Sequence, residues 1–155
     1  MIESMSAADV ANAERFARIG ITADAESAGR TRKEFARWLD EYFDLDPIRS
    51  SDLVLATNEA LANAAEFAYL LADRPGTMAV HARHHADGKL IVTVSDNGTW
   101  QIPNPAPPNR SRGRGIPLMH ALTDRTTIEM STGGTQVCLE WAGVQPRLHT
   151  TDGSA

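Results

Sequence analysis

The residues with the clearest chemical potential lie in the segment 58–63, which reads Asn-Glu-Ala-Leu-Ala-Asn. Glu59 and Asn63 are four residues apart, and this spacing places two side chains on one face of an α-helix. A carboxylate beside an amide oxygen suits a hard cation such as Mg²⁺. Phosphate oxygens often complete the coordination shell of this ion. Glu59 could also accept the proton of an attacking hydroxyl group. Taken alone, however, such a pair more often marks a solvated polar stripe on a helix surface.

A second candidate group follows a strand-like run, at Asp96-Asn97-Gly98. An aspartate at a strand end can accept a hydrogen bond from an exocyclic amine, and a nearby glycine lets a flat ring approach the backbone. The same tripeptide also has good turn chemistry. By itself it therefore predicts no more than a turn.

Two further segments contain glycines beside polar side chains. Arg112-Gly113-Arg114-Gly115 precedes a short apolar run. Its glycine amides and the N-terminus of a following helix could bind phosphate, with the arginines adding positive charge, or the segment could be a flexible linker. Thr135 follows Gly133-Gly134 and places a hydroxyl group near a strand end, although these residues could form only a hairpin turn.

Hydrophobic periodicity predicts the elements that must position these residues. The expected strands are Arg15–Thr22, Thr77–Ala86, Lys89–Ser95, Thr126–Thr132 and Gln136–Trp141. The expected helices are Ala25–Phe43 with Asp24 as its N-cap, a helix from Ser50 or Ser51 to about Leu71, and Ile116–Leu122. Because most strands come in hairpin pairs with helices before and between them, we predict an α+β two-layer sandwich. Its helices should cover one face of a largely antiparallel mixed sheet.

Length and composition indicate one globular domain. The chain has 155 residues, 42% of them hydrophobic, and a net charge of −5, which argues against general attraction to nucleic acid or anionic membranes. We expect an N-terminal arm over 1–14, one domain over 15–142 and a flexible C-terminal tail over 143–155. The N-terminus lacks the features of a signal peptide and no run is apolar enough to span a bilayer, so a cytoplasmic location is expected.

Other conspicuous side chains are expected to be structural. Trp38 and Trp141 are predicted core residues, and the single cysteine, Cys138, is a predicted small buried hydrophobe. The histidines of segment 81–85 do not all share one strand face. We therefore expect them to be solvated or partly packed, rather than to bind a metal.

Taken together, in this order and at these spacings, the polar groups resemble the GHKL-type ATP-binding domain, the Bergerat fold. Within that superfamily the chain resembles the bacterial anti-sigma-factor serine/threonine protein kinases. The N-box is Glu59–Tyr69, the first glycine box is Asp96–Gly98, and the second glycine box is Gly113–Met119. The resemblance runs from about Phe16 to Trp141, nearly the whole chain.

The resemblance implies a role for each matching residue. Asn63 would bind the Mg²⁺ that bridges the phosphates of ATP, and Glu59 would be the general base for a partner hydroxyl group. Asp96 would accept a hydrogen bond from the adenine amino group, and Gly98 would let the base lie against the backbone. Thr135 would support the Asp96 side of the adenine pocket.

The second glycine box would bind phosphate. Gly113 and Gly115 would contact it through their amides, and Arg112 or Arg114 would neutralise charge on the γ-phosphate. One departure from the pattern stands out, because the first glycine box commonly ends in a second glycine where this chain has Trp100. That change puts closure of the loop over ATP in doubt.

The function implied by the resemblance is that of an anti-sigma factor with ATP-dependent kinase activity. Such a protein would sequester a sigma factor and phosphorylate an anti-anti-sigma (STAS-type) antagonist, and the family resemblance suggests a homodimer. The alternative, motivated by Trp100, is a nucleotide-responsive anti-sigma binding protein with little or no kinase activity. The ATP-binding half of a histidine kinase is a weaker alternative, because no dimerisation helices with a phospho-accepting histidine precede the domain.

Overall fold

The computed structural model describes residues 13–69, 72, 76–98 and 115–147. Within these ranges the chain forms three helices and seven strands, two of which are only two residues long. In chain order they are β1 (Arg15–Thr22), α1 (Ala25–Tyr42), β2 (Phe43–Asp44), α2 (Pro47–Phe67), β3 (Thr77–His84), β4 (Leu90–Asp96), α3 (Gly115–Leu122), β5 (Arg125–Ser131), β6 (Gly134–Trp141) and β7 (Gln145–Pro146).

Five of the strands form one sheet in the order β1-β3-β4-β6-β5, and each neighbouring pair is antiparallel. β4 is the central strand. Val80, Val94 and Val137 lie opposite one another across its middle. The predicted α+β architecture with a largely antiparallel sheet is therefore confirmed.

The core lies between one face of this sheet and the three helices. Alternate residues of β4 are buried, as expected for a strand covered on one face. The buried strand residues form one cluster with large apolar side chains from the helices, among them Phe35, Leu61 and Met119. Burying each side chain of this size contributes roughly 1.5–3 kcal/mol. The helices thus cover one face, as predicted.

An aromatic group joins β1 to α1 at the edge of the core. The rings of Phe16 and Phe35 meet edge-to-face with centroids 5.6 Å apart, and those of Trp38 and Phe43 do so at 4.9 Å. Such pairs add about 0.5–1.5 kcal/mol beyond their burial. Trp38 is therefore a core residue, as predicted, and so is Trp141, which is almost fully buried.

Helix α1 begins as predicted. Its N-cap is Asp24, whose side chain accepts a hydrogen bond of 2.7 Å from the Ser27 backbone amide. The hydrogen bond from that amide lowers the pKa of the Asp24 carboxyl group, because it favours the charged form. The capping aspartate thus stabilises both the helix and its own negative charge.

Helix α2 begins earlier than predicted. Its N-cap is Asp46, whose carboxylate accepts a hydrogen bond of 2.8 Å from the Arg49 amide, and Pro47 occupies the first helical turn. The expectation that Ser50 or Ser51 caps this helix is wrong. Proline lacks an amide hydrogen and has a fixed φ, so it suits the first helical position rather than interrupting the chain before it.

α2 and β3 end two or more residues earlier than predicted. α2 ends at Phe67 rather than near Leu71, and β3 ends at His84 rather than Ala86. The hairpin turn accounts for the second difference, because the amide of His85 already donates to the Lys89 carbonyl oxygen at 2.9 Å.

The segment that follows Gly143 packs against the domain as far as Arg147. Val144 is fully buried, and its amide donates to the Gly88 carbonyl oxygen at 2.8 Å. β7 then pairs with β2. The prediction of a flexible tail from residue 143 is therefore wrong for residues 143–147, where one valine fills an apolar site. The rest of the predicted tail, and residues 1–12 of the predicted arm, lie outside the described residues.

Cys138 is only partly buried, because it lies on the sheet face opposite the helices. The prediction of a buried cysteine is corrected accordingly, although burial still raises the pKa of its thiol. Within the described ranges, no group of three or more His, Cys, Asp or Glu side chains could hold a metal ion. No described helix combines the length and hydropathy of a membrane span.

Candidate functional site

Helix α2 carries the first two candidate residues at different depths. The Asn63 side chain is buried, with 1% of its surface exposed, whereas Glu59 is half-buried and Glu66 is exposed. The three therefore do not form a uniformly solvated stripe. A buried carboxamide is normally hydrogen-bonded, and its depth separates Asn63 from the more exposed polar residues of the same helix.

Asp96 ends the central strand on the face covered by the helices. It is 7% exposed, and it continues the buried row of Val92 and Val94. Thr135, which is 3% exposed, lies directly opposite it on β6. Side chains in opposite positions of antiparallel strands have Cβ atoms roughly 4.5–5.5 Å apart. The register therefore brings the predicted carboxylate and hydroxyl group together.

The turn after Asp96 packs against the end of α2. The Gly98 amide donates to Asp96 Oδ1 at 3.0 Å, so the carboxylate is oriented by its own turn. A Cβ atom added to Gly98 would lie 2.1 Å from the carbonyl oxygen of Ala68. Glycine is therefore required here for a close approach to the helix. The predicted approach of an adenine ring to Gly98 stays a prediction.

A second glycine approaches the same strand end from β6. Gly134 has φ of +141°, and a Cβ atom there would lie 2.0 Å from the Asp96 carbonyl oxygen. The sequence indicated only a turn at this position. The structure shows that Gly134 begins β6 and lets the β5–β6 hairpin close against the backbone of Asp96.

Tyr69 contacts the turn that follows Asp96, which sequence reasoning missed. Its hydroxyl oxygen accepts a hydrogen bond of 3.0 Å from the Asn97 amide, and its hydroxyl group donates to the Thr77 carbonyl oxygen. Its ring also occupies the space beside Gly76. The signal was present as the last residue of the N-box, but the contacts depend on how the helix end meets the sheet.

Only part of the second glycine box lies within the described residues. Gly115 is the first residue of α3, and Arg112, Gly113 and Arg114 lie outside the described ranges. α3 packs against α2 through the core, where Met119 is fully buried. The N-terminus of such a helix carries a partial positive charge that favours anions.

The family is decided by residues 21–141, which match the family model for the histidine kinase-like ATPase domain. The chain belongs to this family. Membership confirms the predicted GHKL-type fold and implies that the domain binds ATP. The match covers every candidate residue named above.

Solved structures support the same fold. A structure of the RsbU and RsbW domains of Rv1364c from Mycobacterium tuberculosis matches with a TM-score of 0.67 and 25% identity over 88% of this chain. The match spans only 34% of that longer chain. The histidine kinase domain of a blue-light-activated kinase from Erythrobacter litoralis matches with a TM-score of 0.53 and 19% identity, over 76% of this chain and 59% of that one. No curated protein sequence matches.

The residues of this ATPase domain fit a shared magnesium site. A protein-only metal site is absent from the described ranges, since no cluster of three or more candidate ligands occurs there. Asn63 instead supplies one buried amide oxygen from α2. Mg²⁺ commonly takes one or two protein ligands and completes its shell with phosphate oxygens and water. The donor set therefore fits Mg²⁺ held jointly with a nucleotide.

Proposed function

We propose that this protein is an ATP-dependent serine/threonine protein kinase that binds a sigma factor and phosphorylates an anti-anti-sigma antagonist of the STAS type. The observation that carries the proposal is the burial of two polar side chains, Asn63 and Asp96, between α2 and the covered face of the sheet. One is suited to a metal and the other to a base amine. The similarity to the structure containing an RsbW domain supports the anti-sigma role.

In this proposal the two buried side chains hold opposite ends of ATP. Asp96 accepts a hydrogen bond from the adenine amino group, supported by Thr135. Asn63 would hold Mg²⁺, which when bound neutralises charge on the phosphates. The amides of Gly113 and Gly115 would bind the phosphates.

The positive charge near the γ-phosphate would come from Arg112 or Arg114. A guanidinium group there would stabilise the charge that spreads over the equatorial oxygens during phosphoryl transfer. Both residues precede α3, whose N-terminus favours the same anion.

Glu59 is the proposed general base. It lies one helical turn before Asn63 and is half-buried, so its carboxylate can stand beside the same γ-phosphate while a partner protein approaches. It would take the proton of a partner serine or threonine hydroxyl group as that oxygen attacks the γ-phosphorus. The bond to ADP then breaks, and ADP leaves.

A second candidate function is a nucleotide-responsive anti-sigma binding protein with little or no kinase activity. The observation that favours it is Trp100, which stands where the family pattern commonly has a glycine. In either case we propose a cytoplasmic homodimer that contacts protein partners rather than nucleic acid or membrane. The net charge of −5 supports the last point.

A phosphotransfer assay separates the two functions. The purified protein is mixed with Mg²⁺-ATP and candidate STAS-type antagonists, and phosphoprotein is measured. We expect transfer by the wild type, and a loss of about 100-fold or more in Glu59→Gln with sigma binding retained. Glu66→Gln, the same change at an exposed position of α2, is the matched control and should stay active. Wild-type protein that binds ATP but phosphorylates no antagonist would support the second function instead.

A further inference from the structure

The Tyr69 hydroxyl group joins three separate segments of the chain. Tyr69 follows the C-terminal end of α2. Its hydroxyl group donates to the Thr77 carbonyl oxygen at the start of β3, and accepts from the Asn97 amide after β4. Two of these segments border the candidate site. α2 carries the proposed metal ligand, and β4 ends in the proposed base-recognition residue, Asp96.

The Tyr69 ring is held between two glycines. A Cβ atom added to Gly76 would lie 2.1 Å from the ring, and one added to Gly98 would lie 2.9 Å from it. Neither position can therefore carry a side chain while the ring keeps its place. The ring and the hydroxyl group together fix the distance between the end of α2 and the turn after β4.

The turn after β4 orients the Asp96 carboxylate. The Gly98 amide donates to Asp96 Oδ1 at 3.0 Å, while the preceding amide, that of Asn97, donates to Tyr69 at 3.0 Å. The Gly98 amide is thus held by Asp96, and the preceding Asn97 amide is held by Tyr69. The two amides belong to adjacent planar peptide units that meet at the Asn97 Cα atom, so the loss of one hydrogen bond frees the short backbone that positions the other.

We propose that Tyr69 is a positioning residue for base recognition. It holds the Asp96 carboxylate in the position from which Asp96 selects a base with an exocyclic amine over a base without that amine. The inference rests on the proposed function, because it requires Asp96 to contact the base. Tyr69 itself does not need to touch the nucleotide. Its effect reaches Asp96 through the backbone of the turn.

The test compares ATP with ITP, which carries an oxygen where adenine has its amine. Binding of each nucleotide with Mg²⁺ is measured by calorimetry for the wild type, for Tyr69→Phe and for the control Tyr42→Phe. We expect roughly three- to tenfold weaker ATP binding in Tyr69→Phe, the size of one hydrogen bond, with a smaller change for ITP. Tyr42→Phe should match the wild type. The preference for ATP over ITP should therefore narrow only in Tyr69→Phe.

Amide hydrogen exchange gives a second measurement that needs no nucleotide. The Asn97 amide should exchange faster in Tyr69→Phe, because its acceptor has been removed. Unchanged Asn97 exchange, or equal loss of affinity for ATP and ITP, would overturn the inference and leave Tyr69 with a merely structural role. Wild-type protein that binds no ATP would overturn both this inference and the proposed function. ATP binding without phosphotransfer would remove only the kinase proposal.

Discussion

The two ends of the central strand β4 are built from different chemistry. At one end Leu90 is fully buried opposite Trp141, and at the other Asp96 is buried opposite Thr135. All four side chains lie on the same covered face of the sheet. The two ends therefore differ in the polarity of the buried side chains rather than in their burial. Under the proposed function, the Leu90 end is structural and the Asp96 end is functional.

The Leu90 end is closed by apolar packing and by paired backbone groups. The Gly88 carbonyl oxygen accepts from the Val144 amide at 2.8 Å, and a His84 ring nitrogen lies 2.7 Å from the Val144 carbonyl oxygen. The His84 ring also packs against Phe43, with centroids 4.8 Å apart. Among the described residues, this end is therefore held by apolar packing and by paired polar groups.

The Asp96 end buries polar groups. A carboxylate and the hydroxyl group of Thr135 are removed from water there, which costs free energy that apolar residues of the same size would not. Two glycines, Gly98 and Gly134, let the neighbouring backbone close around Asp96. The Leu90 end is therefore closed by apolar packing, and the Asp96 end carries the proposed recognition site.

The largest expected effect is at the structural end. Leu90→Ala should lower the free energy of unfolding by about 2–5 kcal/mol, because a fully buried side chain is removed and a cavity remains. Urea denaturation measures the loss, and calorimetry at low temperature should show ATP affinity close to that of the wild type. The control is Ile19→Ala, at a position 75% exposed, which should change little. A large loss of ATP affinity in folded Leu90→Ala would remove the distinction between the ends.

The next effect concerns the proposed metal ligand. Asn63→Ala should weaken Mg²⁺-ATP binding by roughly 10- to 100-fold if Asn63 holds the metal as proposed, and the loss should be much smaller when Mg²⁺ is absent. Titrations of ATP with and without Mg²⁺ measure the two losses of affinity. Asn58→Ala changes a half-buried asparagine on the same helix and serves as the control. Equal losses with and without Mg²⁺ would argue against a metal role.

Gly98→Ala should affect both properties. The added methyl group would lie 2.1 Å from the Ala68 carbonyl oxygen, which cannot rotate away, so about 1–3 kcal/mol of stability should be lost together with ATP affinity. Gly29→Ala is the matched control, since a Cβ atom there meets nothing within 4 Å. In a helix interior that change should stabilise slightly. A fully stable Gly98→Ala with normal affinity would show that the turn tolerates displacement.

The smallest effect concerns the cap of α1. The hydrogen bond from Ser27 lowers the pKa of Asp24 from its ordinary value of 3.8, so the stabilisation is present above about pH 3.8 and is lost as the pH falls through the lower folded value. Asp24→Ala should therefore melt at a lower temperature than the wild type at pH 7. The difference in melting temperature between Asp24→Ala and the wild type should shrink at strongly acidic pH. Glu41→Ala, at an exposed position of the same helix, is the control, and a pH-independent gap in Asp24→Ala would contradict the charge-based explanation.

Much of the fold followed from local patterns. The hairpin between β3 and β4 and the Asp24 cap depend on neighbouring residues, and both were predictable for that reason. The helix start at Asp46 was missed because Ser50 and Ser51 are also suitable N-cap residues in the same segment. The burial of Val144 was missed because its partner, Gly88, is distant in the sequence.

The candidate site divides in the same way. Asn63 and Asp96 could be chosen from their residue types and spacing, together with a family resemblance. Their burial, the register between Asp96 and Thr135, and the contacts of Tyr69 depend on tertiary packing. No spacing within a single segment could have shown that the tyrosine meets the turn after β4.

The most direct test of a nucleotide site at the Asp96 end is calorimetric titration of ATP with Mg²⁺ into wild-type protein and Asp96→Asn. The substitution keeps the size of the side chain and removes its charge. We expect the wild type to bind ATP, and Asp96→Asn to bind it roughly 10- to 100-fold more weakly with an unchanged melting temperature. Equal ATP affinity in the two folded proteins, or no binding by the wild type, would contradict the assignment of base recognition to Asp96.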